Sequence, residues 1–416
     1  MKSEKTKTYV FLILLTLIVR IAVRCLFFSD KALETFEYET IALNLFNGKG
    51  YIYNHFTGIT YALIAPLYTY LTYSVYCVFG YHPHILIFLQ CIFSSILAIL
   101  VYQFSFILYQ NKQTSLIASF LVIFHPGLLY YDIIKLHPQS LGTLLIFSLG
   151  ITFIYFYKKR TALWALFFGI CAGLNILERS ITMPFILLSL PFLLITVQPY
   201  HKKCLVLLSL LICGLIISPW IIRNYRIFNT LVITTNTGEV FWRSNNPQAN
   251  GTSYSDQSTV LSPNFYAQHV SELKGKDELY ISKFYLTHGL HWIQKNPAHF
   301  VKLYLKKVFS FLFVPLIKFY GNYTQTLKKA LLFYYYIISA FLIFTFCLTL
   351  AKKNLLPPIF YPMLILYVSI LCTQSFFYLE GRHRMLADPI LFVYISGGIH
   401  FLFQKIKLLI FNGLFR

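Results

Sequence analysis

Long apolar runs separated by short basic loops set the pattern of this chain. The runs at 9–28, 85–109, 114–131, 141–157, 162–177, 181–197, 204–222, 330–351, 358–376 and 386–403 each have about the length of a membrane-crossing helix. Two more, 61–80 and 301–316, are equally apolar, and charge decides their placement. If 61–80 crossed, the loops Lys158-Lys159-Arg160 and His201-Lys202-Lys203 would face outward, against the rule that basic loops stay inside. Read as a juxtamembrane or re-entrant helix carrying Pro66, it leaves both loops and Lys112 inside. The same reasoning, applied to Lys352-Lys353-Asn354 and the tail residues Lys405, Lys407 and Arg416, lays 301–316 along the outer face. Lys306 and Lys307 suit an interfacial position there. The expected fold is an all-α polytopic membrane protein with about ten transmembrane helices, outer juxtamembrane helices and both termini cytoplasmic.

Composition agrees. Hydrophobic residues make up 57% of the 416, aromatics 19% and charged residues 12%, which excludes a soluble domain of this length. The formal charge of +21 does not point to nucleic acid, because most Lys and Arg lie in short loops where they orient spans and meet anionic lipid. The eight cysteines show no CxxC spacing and read as packing residues. The first run is too long for a signal peptide and lacks a small-residue cleavage pattern, so it reads as a retained anchor.

The acidic residues are more informative. This topology places all but Glu4 of the fourteen Asp and Glu in outer loops or at outer span ends. Asp30, Glu34, Glu37 and Glu39 gather just after the first span. Further polar groups sit at outward ends: Asp132, Lys135 and His137 in YYDIIKLHPQS; Glu178-Arg179; Arg223, Asn224 and Arg226 in SPWIIRNYRIF; and Glu380, Arg382, His383, Arg384 and Asp388 in EGRHRMLADP. Arg179 and Arg226 also read as span-end anchors, His137 before Pro138 as a helix cap, and Asn245-Asn246 beside Pro247 as turn chemistry. Arg382-His383-Arg384 beside an acid reads better as an anion pocket. Arg20 and Arg24 share a face of the first span, positioned to snorkel or to pair with the acidic loop or a lipid phosphate.

The largest polar segment begins at Arg223. TLVITTNTGEVFWRSNN reads as two strands joined by a turn at Asn236-Thr237-Gly238, and helical periodicity runs from Asn264 through Gln294. The expected organisation is a first anchor (1–28), a first outer loop with juxtamembrane helices (29–84), a transmembrane core (85–222), a small α+β outer subdomain with an interfacial helix (223–330) and C-terminal transmembrane helices (331–416).

FEYETIALNLFNGKGY resembles the first outer loop of GT-C glycosyltransferases, the superfamily of protein O-mannosyltransferases, lipid A aminoarabinose transferases and bacterial galacturonosyltransferase-like proteins. HPGLLYYDIIKLHP, PWIIRNY, RSNNPQANGT and GRHRMLADP resemble further blocks of the bacterial branch, in order along the chain. The resemblance implies transfer of a sugar from a polyprenyl-phosphate donor to an envelope glycolipid, glycan or protein acceptor outside the inner membrane. It implies an acidic base in the first loop, where Glu34 matches best by spacing to the Tyr and Glu37 next. Lys135, Arg223, Arg382 and Arg384 become candidates for the donor phosphate, and Asp132, His137, Arg179, Asn245, Asn246 and His383 for substrate. Many relatives carry a metal-holding acid after the third crossing. Here that region has Asp132 and KLHPQ, which leaves a divalent metal ion open. The competing reading is a lipid-linked sugar flippase, which predicts ionisable groups near the midplane and repeated halves. No repeat is evident.

Overall fold

The computed structural model describes residues 2–254, 260–313, 325–351 and 357–414. Among the described residues seven helices are long and apolar enough to cross a membrane: Glu4–Phe27, Pro83–Tyr109, Gln139–Lys159, Cys204–Phe228, Lys328–Ala351, Pro358–Phe376 and Asp388–Leu408. An eighth candidate, Lys112–Ile123 with Pro126–Ile134, is bent by 50°. Two shorter apolar helices, Ala162–Glu178 and Ser180–Thr196, fall on the remaining expected runs. The chain is a multi-pass α-helical membrane protein. The basic loop 352–354 and Arg416 lie outside the described residues.

The bend has a local cause. Pro126 brings no N–H to the turn before it, and His125 fills the gap as a helix cap. Its Nδ1 accepts from the N–H groups of Gly127 (3.0 Å) and Leu128 (3.2 Å). The proton therefore sits on Nε2, which faces Asp388 Oδ2 at 3.1 Å. Arg384 Nε donates to the other oxygen of Asp388 at 3.0 Å, and its guanidinium also reaches the carbonyl of Phe313. This closed network ties the bend to the C-terminal helices.

The run at 61–80 forms a helix only over Leu67–Phe79, 13 residues. That is about 20 Å, short of the ~30 Å hydrocarbon core, as the charge argument requires. Before it come the helix Glu37–Phe46 and a hairpin, Tyr53–His55 paired antiparallel with Gly58–Thr60. The run at 301–316 is helical up to Leu312, the end of the helix Pro297–Leu312, where Lys306 is exposed but Lys307 is buried; the last three residues of the run lie outside the described ones.

The expected strand-turn-strand after Arg223 does not form. Thr237–Ser244 is a helix, and the strands among the described residues are those of the first loop. Asn236-Thr237-Gly238 starts that helix instead of reversing a hairpin. Gly238 is required there because a Cβ would run into the carbonyl of Ser282. The regular structure described in this segment is helical, joined by irregular stretches, with Trp242, Leu261, Leu273, Ile281 and Tyr285 as its core.

Candidate active site

Three segments distant in sequence meet at one end of the bundle: the first loop, the turn 135–138 and the stretch around Arg382. The first contact is a backbone one. Glu34 N–H donates to the Ile134 carbonyl (2.8 Å), and Leu136 N–H donates to the Glu34 carbonyl (2.9 Å). Gln90 locks the turn from below. Its Nε2 reaches the carbonyls of Tyr131, Asp132 and Lys135, and its Oε1 accepts from His137 N–H at 3.2 Å and Tyr68 OH at 2.5 Å. A buried amide that satisfies five backbone and side-chain groups fixes both Lys135 and His137.

Glu34 is fully engaged. Its carboxylate pairs with Lys31 (2.7 Å) and Lys135 (3.1 Å) and accepts from Tyr130 OH (2.6 Å). Burial raises this carboxyl, but the hydrogen bonds from Lys31 and Tyr130 and the Lys135 charge outweigh it, holding the group below the ordinary carboxylate range. Glu37, at the start of its helix, is half-buried and makes no hydrogen bond or ion pair among the described residues. Glu39 is buried and accepts from Tyr76 OH at 2.7 Å. Asp30 is exposed.

His137 stands among the rings of Phe36, Tyr38 and Tyr131, with centroids 5.0–5.7 Å away. Burial drives its imidazole well below the usual histidine range, and the charges of Arg382, Arg179 and Lys135 push the same way. It is therefore neutral, with Nε2 turned to Arg382 at 3.4 Å. Arg382 pairs with Glu380 (3.0 Å), which also accepts from Ser253 Oγ (2.7 Å). His383 Nδ1 accepts from Glu380 N–H (3.1 Å), capping the short helix Gly381–Met385 that carries Arg382. Burial, then Arg382 and Arg179, hold His383 neutral too. The Tyr38 phenol is pushed up to about 12 by burial, and Arg179, Glu178, Glu37 and Arg382 all act on it. Lys135, Arg179 and Arg382 thus surround Tyr38 and His137, with Arg179 and Arg382 about one-fifth exposed (20% and 22%). The group is a partly exposed cluster in which each cation stands against a carboxylate, Glu34, Glu178 or Glu380, with the Glu37 charge acting on Tyr38 beside it.

Other expected residues lie elsewhere. Asp132 is fully buried, held by Arg20 Nε (2.6 Å), Ser94 Oγ (2.6 Å) and the Ser140 hydroxyl. It joins the first span to the core and is closed to substrate. Arg384 is 1% exposed and committed to Asp388, so it turns away from Arg382. Arg223 donates to the carbonyls of Tyr61 (2.7 Å) and Tyr51 (3.2 Å) and stacks on Trp220, fastening the first loop to the Cys204–Phe228 helix. Asn245 and Asn246 bond the carbonyls of their own preceding turn, as turn chemistry predicts, and Asn245 adds Phe376 O. Glu178, grouped with Arg179 among the outward-end residues but given no role from sequence, acts on Tyr38 beside Arg179.

Among the described residues no group of three or more His, Cys, Asp or Glu could hold a metal ion.

No protein-family model and no curated protein matches the sequence. Among solved structures the chain is similar to a crystal structure of ArnT from Cupriavidus metallidurans bound to undecaprenyl phosphate. The match covers 94% of this chain and 77% of that one, with a TM-score of 0.41 and 10% identity. That likeness is too distant to transfer a residue or a reaction.

Proposed function

We propose that this protein is a membrane glycosyltransferase of the GT-C kind, moving a sugar from a polyprenyl-phosphate donor to an envelope glycolipid, glycan or protein at the outer face. The observation that carries the reading is the cluster of Lys135, Arg179 and Arg382 around Tyr38 and His137, near a carboxylate, Glu37, that makes no hydrogen bond or ion pair among the described residues. The order of the motifs along the chain supports the same reading.

In this mechanism the donor phosphate lies against Arg382, Arg179 and Lys135. Glu37 accepts the proton of an acceptor hydroxyl. The acceptor oxygen attacks the anomeric carbon, and the bond from that carbon to the phosphate oxygen breaks. Polyprenyl phosphate departs with the electron pair, and attack from the opposite side inverts the anomeric centre. Cations fixed before reaction stabilise the leaving charge without reorganising, and a placed base contributes about 10²–10⁴-fold. Glu34 matches the family's spacing better than Glu37, but three donors already occupy its carboxylate. Its role here is to hold Lys135 in the cluster.

The test is the envelope of a deletion strain. Mass spectrometry is expected to show one glycan or glycolipid short by a single sugar, restored by the wild-type gene. An unchanged envelope overturns the proposal, as does loss of a whole lipid-linked oligosaccharide, the outcome for a flippase.

A further inference from the structure

Both carboxylate oxygens of Glu178 are buried without a hydrogen-bond donor among the described residues. The side chain is 1% exposed. Arg179 Nε stands 3.4 Å from Oε1, which supplies charge but not hydrogen-bond geometry. Burying a carboxyl with neither oxygen hydrogen-bonded costs free energy whether it is charged or neutral, and a ligand that donates to it offsets that cost.

Its neighbour repeats the pattern. Gln139 donates Nε2 to the Arg382 carbonyl at 2.8 Å, while its Oε1 is buried and unpartnered. Both side chains lie at the first turn of the Gln139–Lys159 helix, Gln139 as a member and Glu178 as a neighbour of Gly142. Gly142 lies one turn beyond Gln139, and the Glu178 carboxylate packs over its Cα so closely that a Cβ would stand 2.6 Å from Oε1. The orphaned atoms on Glu178 and Gln139 are all acceptors. A ligand that satisfies them must bring several donors on one small frame. Phosphate brings none when ionised, and a polyprenyl chain brings none at all. A sugar ring brings hydroxyls, and the Tyr38 and His137 rings beside it offer the flat apolar face that sugar C–H groups pack against.

We infer that Glu178 and Gln139 form the subsite for the hydroxyl-bearing sugar ring of the lipid donor, adjoining the phosphate held by Arg179 and Arg382. This rests on the glycosyltransferase reading and adds which residues read the sugar. Gly142 is part of the device, since it leaves the carboxylate its place.

The test uses the full chain in nanodiscs. Affinities are measured for undecaprenyl phosphate and for undecaprenyl phosphate carrying a neutral hexose, a uronic acid or an amino-pentose. At least one sugar-bearing lipid is expected to bind more tightly than the bare lipid. Glu178→Gln should cut that advantage, taken as the ratio of sugar-bearing to bare-lipid affinity in the same variant, about tenfold, the worth of one or two charge-assisted hydrogen bonds. Gly142→Ala, which keeps the charge but displaces the carboxylate, should do the same. An advantage that survives both variants overturns the subsite, as does a wild-type protein that binds bare and sugar-bearing lipid equally. Failure to bind undecaprenyl phosphate at all overturns the glycosyltransferase reading instead.

Discussion

Lys307 gives the sharpest stability prediction. It lies on the Pro297–Leu312 helix, 1% exposed, with Nζ donating to Ser244 Oγ at 2.6 Å. Burial lowers its ammonium from 10.5 to about 7. In the unfolded chain the lysine stays protonated up to about 10.4. Between pH 7 and 10 the unfolded state therefore binds more protons at this site, and stability must rise with pH across that window. The difference between the two states corresponds to roughly 5 kcal/mol. Below pH 7 both states are protonated and the contribution is flat. Lys307→Met removes the titration and keeps most of the stem packing. Unfolding of wild type and Lys307→Met in mixed micelles at pH 7 and pH 10 gives the comparison. The variant should be the more stable at pH 7 by about 2–4 kcal/mol, after about 1 kcal/mol for the lost Ser244 bond, and the gap should close toward pH 10. A gap independent of pH would refute the assignment of a neutral-prone lysine, because no other group differs between the two proteins.

Much of the fold was legible because hydrophobic length and loop charge are local properties. Where 61–80 lies followed from the charge of loops far along the chain, and the short Leu67–Phe79 helix agrees with it. The segment after Arg223 was misread because Asn-Thr-Gly serves a hairpin turn and a helix start equally well. Only Ser282, 44 residues beyond Gly238, decides between them. The site was partly legible. Glu37, Lys135, His137, Arg179, Arg382 and His383 do gather. Asp132, Arg223 and Arg384 have the right residue types, but each is engaged by a partner that sequence does not reveal. Arg20 lies 112 residues from Asp132, and only packing shows the pair. Glu178 drew no role from sequence for the converse reason, since the absence of a hydrogen bond to its oxygens among the described residues shows only in three dimensions.

Further predictions follow from the same contacts. Arg20→Met should destabilise by about 3–5 kcal/mol because it strands the Asp132 charge, and adding Asp132→Leu should recover a large part in a double-mutant cycle of unfolding free energies. Gly238→Ala should loosen the outer helices by about 1–3 kcal/mol through the clash with Ser282, seen as faster limited proteolysis in that segment with the membrane helices unaffected. His137, held neutral by burial and three cations, should show no protonation between about pH 5.5 and 7.5 in histidine-selective NMR, where an exposed histidine titrates fully.

The most direct measurement is single-turnover transfer of labelled sugar from undecaprenyl phosphate, with membranes of the deletion strain as acceptor. Glu37→Gln should lose at least about a hundredfold in rate, while Glu34→Gln should mainly weaken donor binding through the released Lys135. Wild-type rates in Glu37→Gln, with the loss falling on Glu34→Gln, would contradict the account.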